Sequence, residues 1–209
     1  MQVTAFDRFA GLCAILAGIA IFCYAIAFVV IARRAPELGG LLSALFLLLS
    51  GLLATPPWTA VYARLREADG LFALWALALG WAGAFGAAIH GGYDLANALH
   101  PPALPAELAA GLATVPSQVD PRGLLTFGVA GLATFVVAWL VGRGAGLPRA
   151  LGYLAYLLAT LLVVIYVARL TILDPANPLL LAPVLLAGFL VNPAWYLWLG
   201  LALWRGQQA

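Results

Sequence analysis

The stretch FAGLCAILAGIAIFCYAIAFVVIA, residues 9–32, decides the fold, because it runs for 24 residues without a charge and stops at Arg33-Arg34. A helix of about 20 apolar residues spans the hydrocarbon core of a bilayer. The apolar region of a signal peptide has only about 7–15 residues. We therefore interpret this stretch as a retained transmembrane helix and not as a cleaved leader.

The rest of the chain has the same character. Its 209 residues are 65% hydrophobic and 9% charged, whereas a soluble domain carries about 25% charged residues. Lipid must therefore be the solvent for most of the surface, and the bilayer is the first expected partner. All ten basic residues are arginine, which excludes Schiff-base chemistry on an internal lysine. A net charge of +2 gives no indication of a nucleic-acid partner.

Six apolar segments of spanning length predict an all-α fold, a polytopic transmembrane helix bundle that forms a single domain over residues 1–209. We place the helices at 9–32, 38–61, 71–99, 124–141, 150–173 and 179–204, with a long loop at 100–121. Five or seven spans are the alternatives. They would arise if Pro56-Pro57, which we expect to disturb the end of the second helix, split it, or if the loop re-entered the membrane.

The distribution of arginine favours a cytoplasmic location for both termini. This orientation places six arginines inside and four outside, and it puts the arginine-free long loop outside. Cytoplasmic segments of membrane proteins carry an excess of basic residues. Arg33-Arg34, which directly follow the first helix, would lie outside and count against this orientation.

Small residues recur every four positions along the third helix. Gly83, Ala87 and Gly91 form one such row, and Ala84 belongs to a second. Small side chains let helix backbones approach closely in lipid, where no hydrophobic effect drives helices together. This pattern predicts a compact bundle with the third helix near its centre.

The same helix carries the densest group of polar side chains. At about 100° per residue, His90, Tyr93, Asp94 and Asn97 fall on one face. Counted from residue 71, this face begins about 28 Å along the helix, near the outer edge of the hydrocarbon. It is either an interfacial polar cluster or a water-accessible pocket for a ligand at the outer mouth of the bundle.

No residue pattern nominates a catalytic centre. His90 and Asp94 have a spacing that lets two side chains share a divalent metal, but two protein ligands rarely suffice. We therefore predict no metal site, no haem and no other cofactor. The chain lacks the GxxxxGK[ST], GxGxxG, HExxH and GxSxG motifs, and its serines have no nearby histidine or acid. An enzyme is accordingly not favoured.

Two further polar residues lie within apolar segments. Arg169 sits near the outer end of the fifth helix, where an arginine needs a carboxylate partner or must reach the headgroups. The candidate carboxylate partners of Arg169 are Asp94 and Asp174. Asn192 precedes Pro193 in the sixth helix, where a proline removes a backbone hydrogen bond. It is a candidate for lining an internal cavity with Trp195 and Tyr196.

Two segments carry a resemblance to a known family. The segment AIHGGYDLAN, residues 88–97, and the segment GFLVNPAWYLWLG, residues 188–200, resemble those of an uncharacterised family of bacterial polytopic membrane proteins. The resemblance covers about half of the chain. It implies a six-helix architecture in the bacterial inner membrane, and it implies no activity.

Three classes of function stay open. The first is a non-catalytic helix bundle that acts as an accessory or sensor subunit, with a membrane-protein partner or a second copy of itself. The second is a small-solute or ion transporter or channel with a polar pocket on the outer side. The third is an intramembrane metal- or cofactor-binding enzyme that uses His90 and Asp94. Because the polar residues cluster in the outer half only, a continuous pathway is not visible, and the first class is favoured.

Overall fold

Six helices form the bundle in a computed structural model that describes residues 3–100, 119–144, 146–172 and 177–206. All six are long and apolar enough to cross a membrane. They are α1 (Ala5–Ile31), α2 (Pro36–Leu65), α3 (Gly70–Leu99), α4 (Leu124–Gly142), α5 (Arg149–Thr171) and α6 (Pro178–Arg205). These ranges contain no strand, so the predicted all-α transmembrane bundle is confirmed.

The helices are arranged as a ring in chain order. Each packs against the next along the chain, and α6 closes the ring through extensive contacts with α1. Six successive spans bring both termini to the same end, which we call the terminal end, and we call the opposite end the distal end. Most of the predicted long loop, 101–118, lies outside the described residues.

The α2 helix continues through its two prolines, and the expectation that they disturb its end was wrong. The helix extends to Leu65 without interruption. Pro56 lacks the N–H that would bond the carbonyl of Leu52. The Thr55 hydroxyl donates to that carbonyl at 2.8 Å, so the acceptor freed by the proline is satisfied locally.

Three helices each contain one π-helical segment. Two of these segments lie at the distal end, Ala27–Ile31 in α1 and Leu124–Val129 in α4. The third, Ala187–Val191, lies midway along α6 and ends two residues before Pro193. Such wide turns change the rotation of the following residues and are frequent at functional sites. None was anticipated from the sequence.

Two sides of α3 pack closely against α2 and α4 through small residues, as the sequence predicted. A methyl group added at Gly91 would lie 2.7 Å from the carbonyl oxygen of Ala44 in α2, and one at Gly83 would lie 2.9 Å from Cβ of Ala130 in α4. Ala84 and Ala87 are also buried. However, α3 occupies the wall of the ring and not its centre, because Phe85 and the residues at the same helical phase are exposed to lipid.

The apolar core is concentrated in the terminal half of the bundle. Trp58 of α2 packs on Trp195 of α6 with ring centroids 6.0 Å apart, and Trp195 packs edge-on against Tyr196 at 4.9 Å. The other large side chains that are fully buried in this half are Val61, Leu65, Val137, Leu140, Val141, Leu147, Leu151, Leu158, Leu199 and Leu203. A packed plug therefore fills the ring on the side of the termini.

Candidate functional site

A shallow groove of about 360 Å³ opens at the distal end between α1, α2 and α3. Its polar lining comes from Asp94 and Asn97 of α3 and from Ser43 of α2, and Phe28 of α1 supplies an aromatic ring. The rest of the lining is apolar: Ala32, Pro36, Gly40 and Ala98. We call this feature the distal groove. It combines a carboxylate, an amide and an aromatic face, which suits a proton or a cationic group.

Asp94 is paired with His90 one turn earlier on α3. Nε2 of His90 lies 3.1 Å from Oδ2 of Asp94, and the side chains are 14% and 42% exposed, respectively. Nδ1 of His90 is buried and has no hydrogen-bond partner among the described residues. The contact between His90 and Asp94 is a full ion pair only when the imidazole is protonated.

The structure brings together some, but not all, of the residues on the predicted polar face of α3. His90 and Asp94 are in contact, and Asp94 and Asn97 line the groove. Tyr93 is 39% exposed and is not one of the residues that line the groove. Asp94 therefore contacts His90 and shares the groove with Asn97, while Tyr93 lies at the edge of the face.

Arg169 lies at the distal end but is not paired with Asp94. The described residues show no carboxylate within ion-pair distance of its guanidinium, and Asp94 pairs with His90 instead. Cζ of Arg169 lies 5.3 Å from the ring centroid of Phe127 in α4, which is a cation–π contact. The other proposed partner, Asp174, falls outside the described residues.

Two residues that the sequence did not nominate belong to the same region. Tyr24 of α1 stacks on the groove residue Phe28 with ring centroids 5.7 Å apart, so it lies one helical turn before the groove along α1. Asp120 lies just before α4, and its carboxylate accepts hydrogen bonds from the backbone N–H groups of Leu125 and Thr126. It thus caps the first turn of α4, whose N–H groups have no partner within the helix.

Asn192 lies midway along α6, directly after the π-helical segment, and it does not line the distal groove. The residues expected to share a cavity with it, Trp195 and Tyr196, are buried in the terminal core. They are therefore packing residues. The distal groove and Asn192 are separate features of the bundle.

The more deeply buried of the two charge pairs in the described residues lies at the other end and was also not anticipated. Nη2 of Arg64, at the end of α2, lies 3.1 Å from Oδ1 of Asp7 in the first turn of α1. The side chains are 4% and 8% exposed, respectively. Nη2 of Arg64 makes no hydrogen bond of good geometry to the carboxylate, so this contact is an ion pair more than a hydrogen bond. The sequence could have indicated this pair, because Asp7 at the start of the first helix and Arg64 at the end of the second lie at the same end of an up-and-down bundle.

The described residues do not assemble a metal centre. No third histidine, cysteine, aspartate or glutamate among them joins a cluster with His90 and Asp94. A structural zinc site takes four protein ligands, and a catalytic one takes three. Within the described ranges, His90 and Asp94 could therefore bind a proton or a cationic group, but two side chains are too few ligands for a metal ion.

Comparisons with protein-family models, with curated proteins and with solved structures found no match to this chain.

Proposed function

We propose that this chain is a non-catalytic membrane helix bundle that acts as an accessory or sensor subunit, and that it senses at its distal end. The observation that carries the proposal is that the charged side chains are buried and paired at one end of the bundle and partly exposed at the other. At the terminal end, Asp7 and Arg64 neutralise each other inside packed protein. At the distal end, Asp94 is 42% exposed beside a histidine and opens to a groove.

The terminal half supports a sensor or accessory role because it has the properties of a closed core. Trp58, Trp195 and Tyr196 fill the ring with aromatic side chains, and leucines from α4, α5 and α6 surround them. Water and ions cross a membrane protein through polar or hydrated paths. A packed apolar plug of this kind is what a non-conducting bundle requires.

The distal half supports sensing because the Asp94 carboxylate is partly exposed and lines a groove. The His90–Asp94 pair gains or loses its ionic character with one proton. The groove that Asp94 lines is shared by α1, α2 and α3. A proton or cation at Asp94 would therefore alter the electrostatic balance where these three helices meet, which is the kind of local event that biases a membrane bundle.

A small-solute or ion transporter is the second candidate, and the π-helical segment of α6 is the observation that favours it. This segment and Pro193 lie at mid-membrane depth, where transporters place interrupted helices. Transport would require the terminal plug to open. The Asp7–Arg64 pair would then be exposed to water in part of the cycle.

We further propose that the bundle resides in the bacterial inner membrane with its terminal end in the cytoplasm. The support is the excess of arginine at that end, which holds six of the ten arginines in the chain. A membrane-protein partner or a second copy would then contact the lipid-facing walls of the ring. Both termini would be accessible to cytoplasmic proteins.

The decisive experiment combines a conformational reporter with a flux assay. A fluorophore is attached to a cysteine at Ala98, in the distal groove, after the native cysteines have been replaced. Its emission is followed in nanodiscs as the pH is lowered. Asp94→Asn is the test variant, and Glu37→Gln, an exposed acid at the same end of the bundle, is the matched control.

The proposal predicts a pH-dependent change in emission that Asp94→Asn abolishes and Glu37→Gln preserves. It also predicts that proteoliposomes containing the protein show no ion or solute flux above that of empty vesicles. An emission that is unchanged by pH, or changed equally in both variants, contradicts sensing at Asp94. Flux that depends on Asp94 would support the transporter instead.

A further inference from the structure

We propose that the terminal end of the α4–α5 hairpin binds the headgroup of an anionic phospholipid. This site is distinct from the distal groove and does not depend on the proposed sensor role. It would hold a lipid phosphate at the surface of the bundle, with the acyl chains lying against the outer faces of α4 and α5.

A second groove, of about 260 Å³, marks the position. It is lined by Ala138 and Gly142 of α4 and by Arg149, Gly152, Tyr153 and Tyr156 of α5. Arg149 is the first residue of α5, and Tyr156 follows seven residues later, which is about 10 Å along the helix. The groove thus extends from the membrane surface to the depth at which headgroups give way to acyl chains.

The charge of the hairpin is entirely positive. Between residues 121 and 173 there are four arginines and no acidic residue. Neither Arg143 nor Arg149 forms an ion pair with any described residue. Cζ of Arg143 lies 4.8 Å from the ring centroid of Trp139, so this arginine is held against α4 beside the groove. Both arginines are exposed, so their charges are accessible to an anion at this surface.

The three acids elsewhere at the terminal end are Asp7, Glu67 and Asp69, and among the described residues none of them forms an ion pair with Arg143 or Arg149. Asp7 is paired with Arg64. Asp69 accepts a hydrogen bond from the backbone N–H of Phe72 and caps α3. An external anion is therefore the better complement to Arg149, and basic pockets between helices at the membrane surface are typical sites for anionic headgroups.

The aromatic and small residues fit a lipid better than a free anion. Tyr153 is 72% exposed one turn into α5, at a level where tyrosine commonly anchors a protein to the interface. Gly152 lets α5 pack closely on Val141 of α4, whereas a side chain at Gly142 would extend into open space. Below the groove, Phe135 is 49% exposed and packs edge-on against Tyr156, which leaves an apolar surface for acyl chains.

Native mass spectrometry in detergent with equal amounts of phosphatidylglycerol and phosphatidylcholine tests the proposal. The wild type should retain phosphatidylglycerol in preference to phosphatidylcholine. Arg149→Gln should lower that retention about fivefold, as expected for one basic residue near a lipid phosphate. Arg205→Gln, which removes another exposed arginine at the same end, should leave it unchanged. Arg149→Lys should keep most of the retention, so that a folding defect can be told from a lost charge.

Several results would overturn the assignment. Equal retention of the two lipids by the wild type would show that the headgroup charge is not recognised. Equal losses in Arg149→Gln and Arg205→Gln would show that only the overall charge matters. Thermal protection by inorganic phosphate alone, equal to that by phosphatidylglycerol, would indicate a free anion. A dimer that Arg149→Gln dissociates would indicate that a second copy occupies the groove.

Discussion

The substitution Asp7→Asn tests whether the buried ion pair stabilises the terminal end of the bundle. Asp7 and Arg64 join the start of α1 to the end of α2, with Oδ1 and Nη2 3.1 Å apart. Nε of Arg64 is buried and makes no hydrogen bond to the described residues. The Asp7 carboxylate is therefore the principal compensation for the guanidinium charge.

The expected magnitude follows from burial. Removing one partner of a buried pair leaves an uncompensated charge and costs about 3–5 kcal/mol in free energy of unfolding. Asp7 also forms a capping box with Thr4, in which Thr4 N–H donates to Oδ2 at 2.9 Å and Asp7 N–H donates to the Thr4 hydroxyl at 3.0 Å. Asparagine retains an acceptor for this cap. Asp7→Ala should therefore cost about 0.5–2 kcal/mol more than Asp7→Asn.

The assay is a double-mutant cycle in mixed micelles, with unfolding by SDS followed through tryptophan fluorescence. Arg64→Met keeps the apolar stem of the side chain and removes the charge. The double variant should be destabilised by much less than the sum of the single variants, because neither charge is left alone. Arg66→Met, at an exposed position in the next turn, is the control and should change stability by no more than about 0.5 kcal/mol. Additivity of Asp7→Asn and Arg64→Met to within about 0.5 kcal/mol would refute the reasoning.

Three further predictions concern other parts of the bundle. Gly91→Ala should destabilise by about 1–3 kcal/mol in the same unfolding assay, because its Cβ meets the α2 backbone. Gly92→Ala should be neutral or slightly stabilising, since its nearest neighbour would be 3.8 Å away, and equal effects of the two would contradict the packing. Asp94→Asn should cost no more than about 1 kcal/mol, because its partly exposed pair contributes little; a larger loss would make it a structural residue. Cysteines introduced at His100 and Gly206 should label from opposite sides of the membrane, with Gly206 on the cytoplasmic side, and labelling from one side would disprove the six-span topology.

The helices were predictable because the signal is spread over many residues. The fourth helix was predicted at 124–141 and is found at Leu124–Gly142. A spanning helix in lipid must satisfy its own backbone hydrogen bonds, so an uncharged segment of sufficient length has few other conformations open to it. The continuation of α2 through Pro56 was harder to predict from the sequence, because it depends on a single hydrogen bond from the Thr55 hydroxyl to the carbonyl of Leu52.

The partners of individual charges were less predictable. His90 and Asp94 meet because they are four residues apart on one helix, which sequence periodicity captures. Arg169 packs against Phe127 because of how α4 and α5 are rotated about their axes. That rotation is set by close contacts such as Gly128 against Tyr166 and by the π-helical segment at the start of α4. Side-chain pairing across helices therefore requires the packed structure.

The two ends of the bundle solve the same physical problem in different ways. An ionisable side chain within a membrane protein needs a partner of opposite charge or access to water. Asp7 and Arg64 use the first solution, inside the plug formed by the large side chains of the terminal half. Asp94 uses both, since it contacts His90 and is open to the groove. A group with two means of compensation can lose one at little cost, whereas a group with only one cannot. The terminal end is therefore suited to holding the bundle together, and the distal end is suited to changing its charge state without unfolding it.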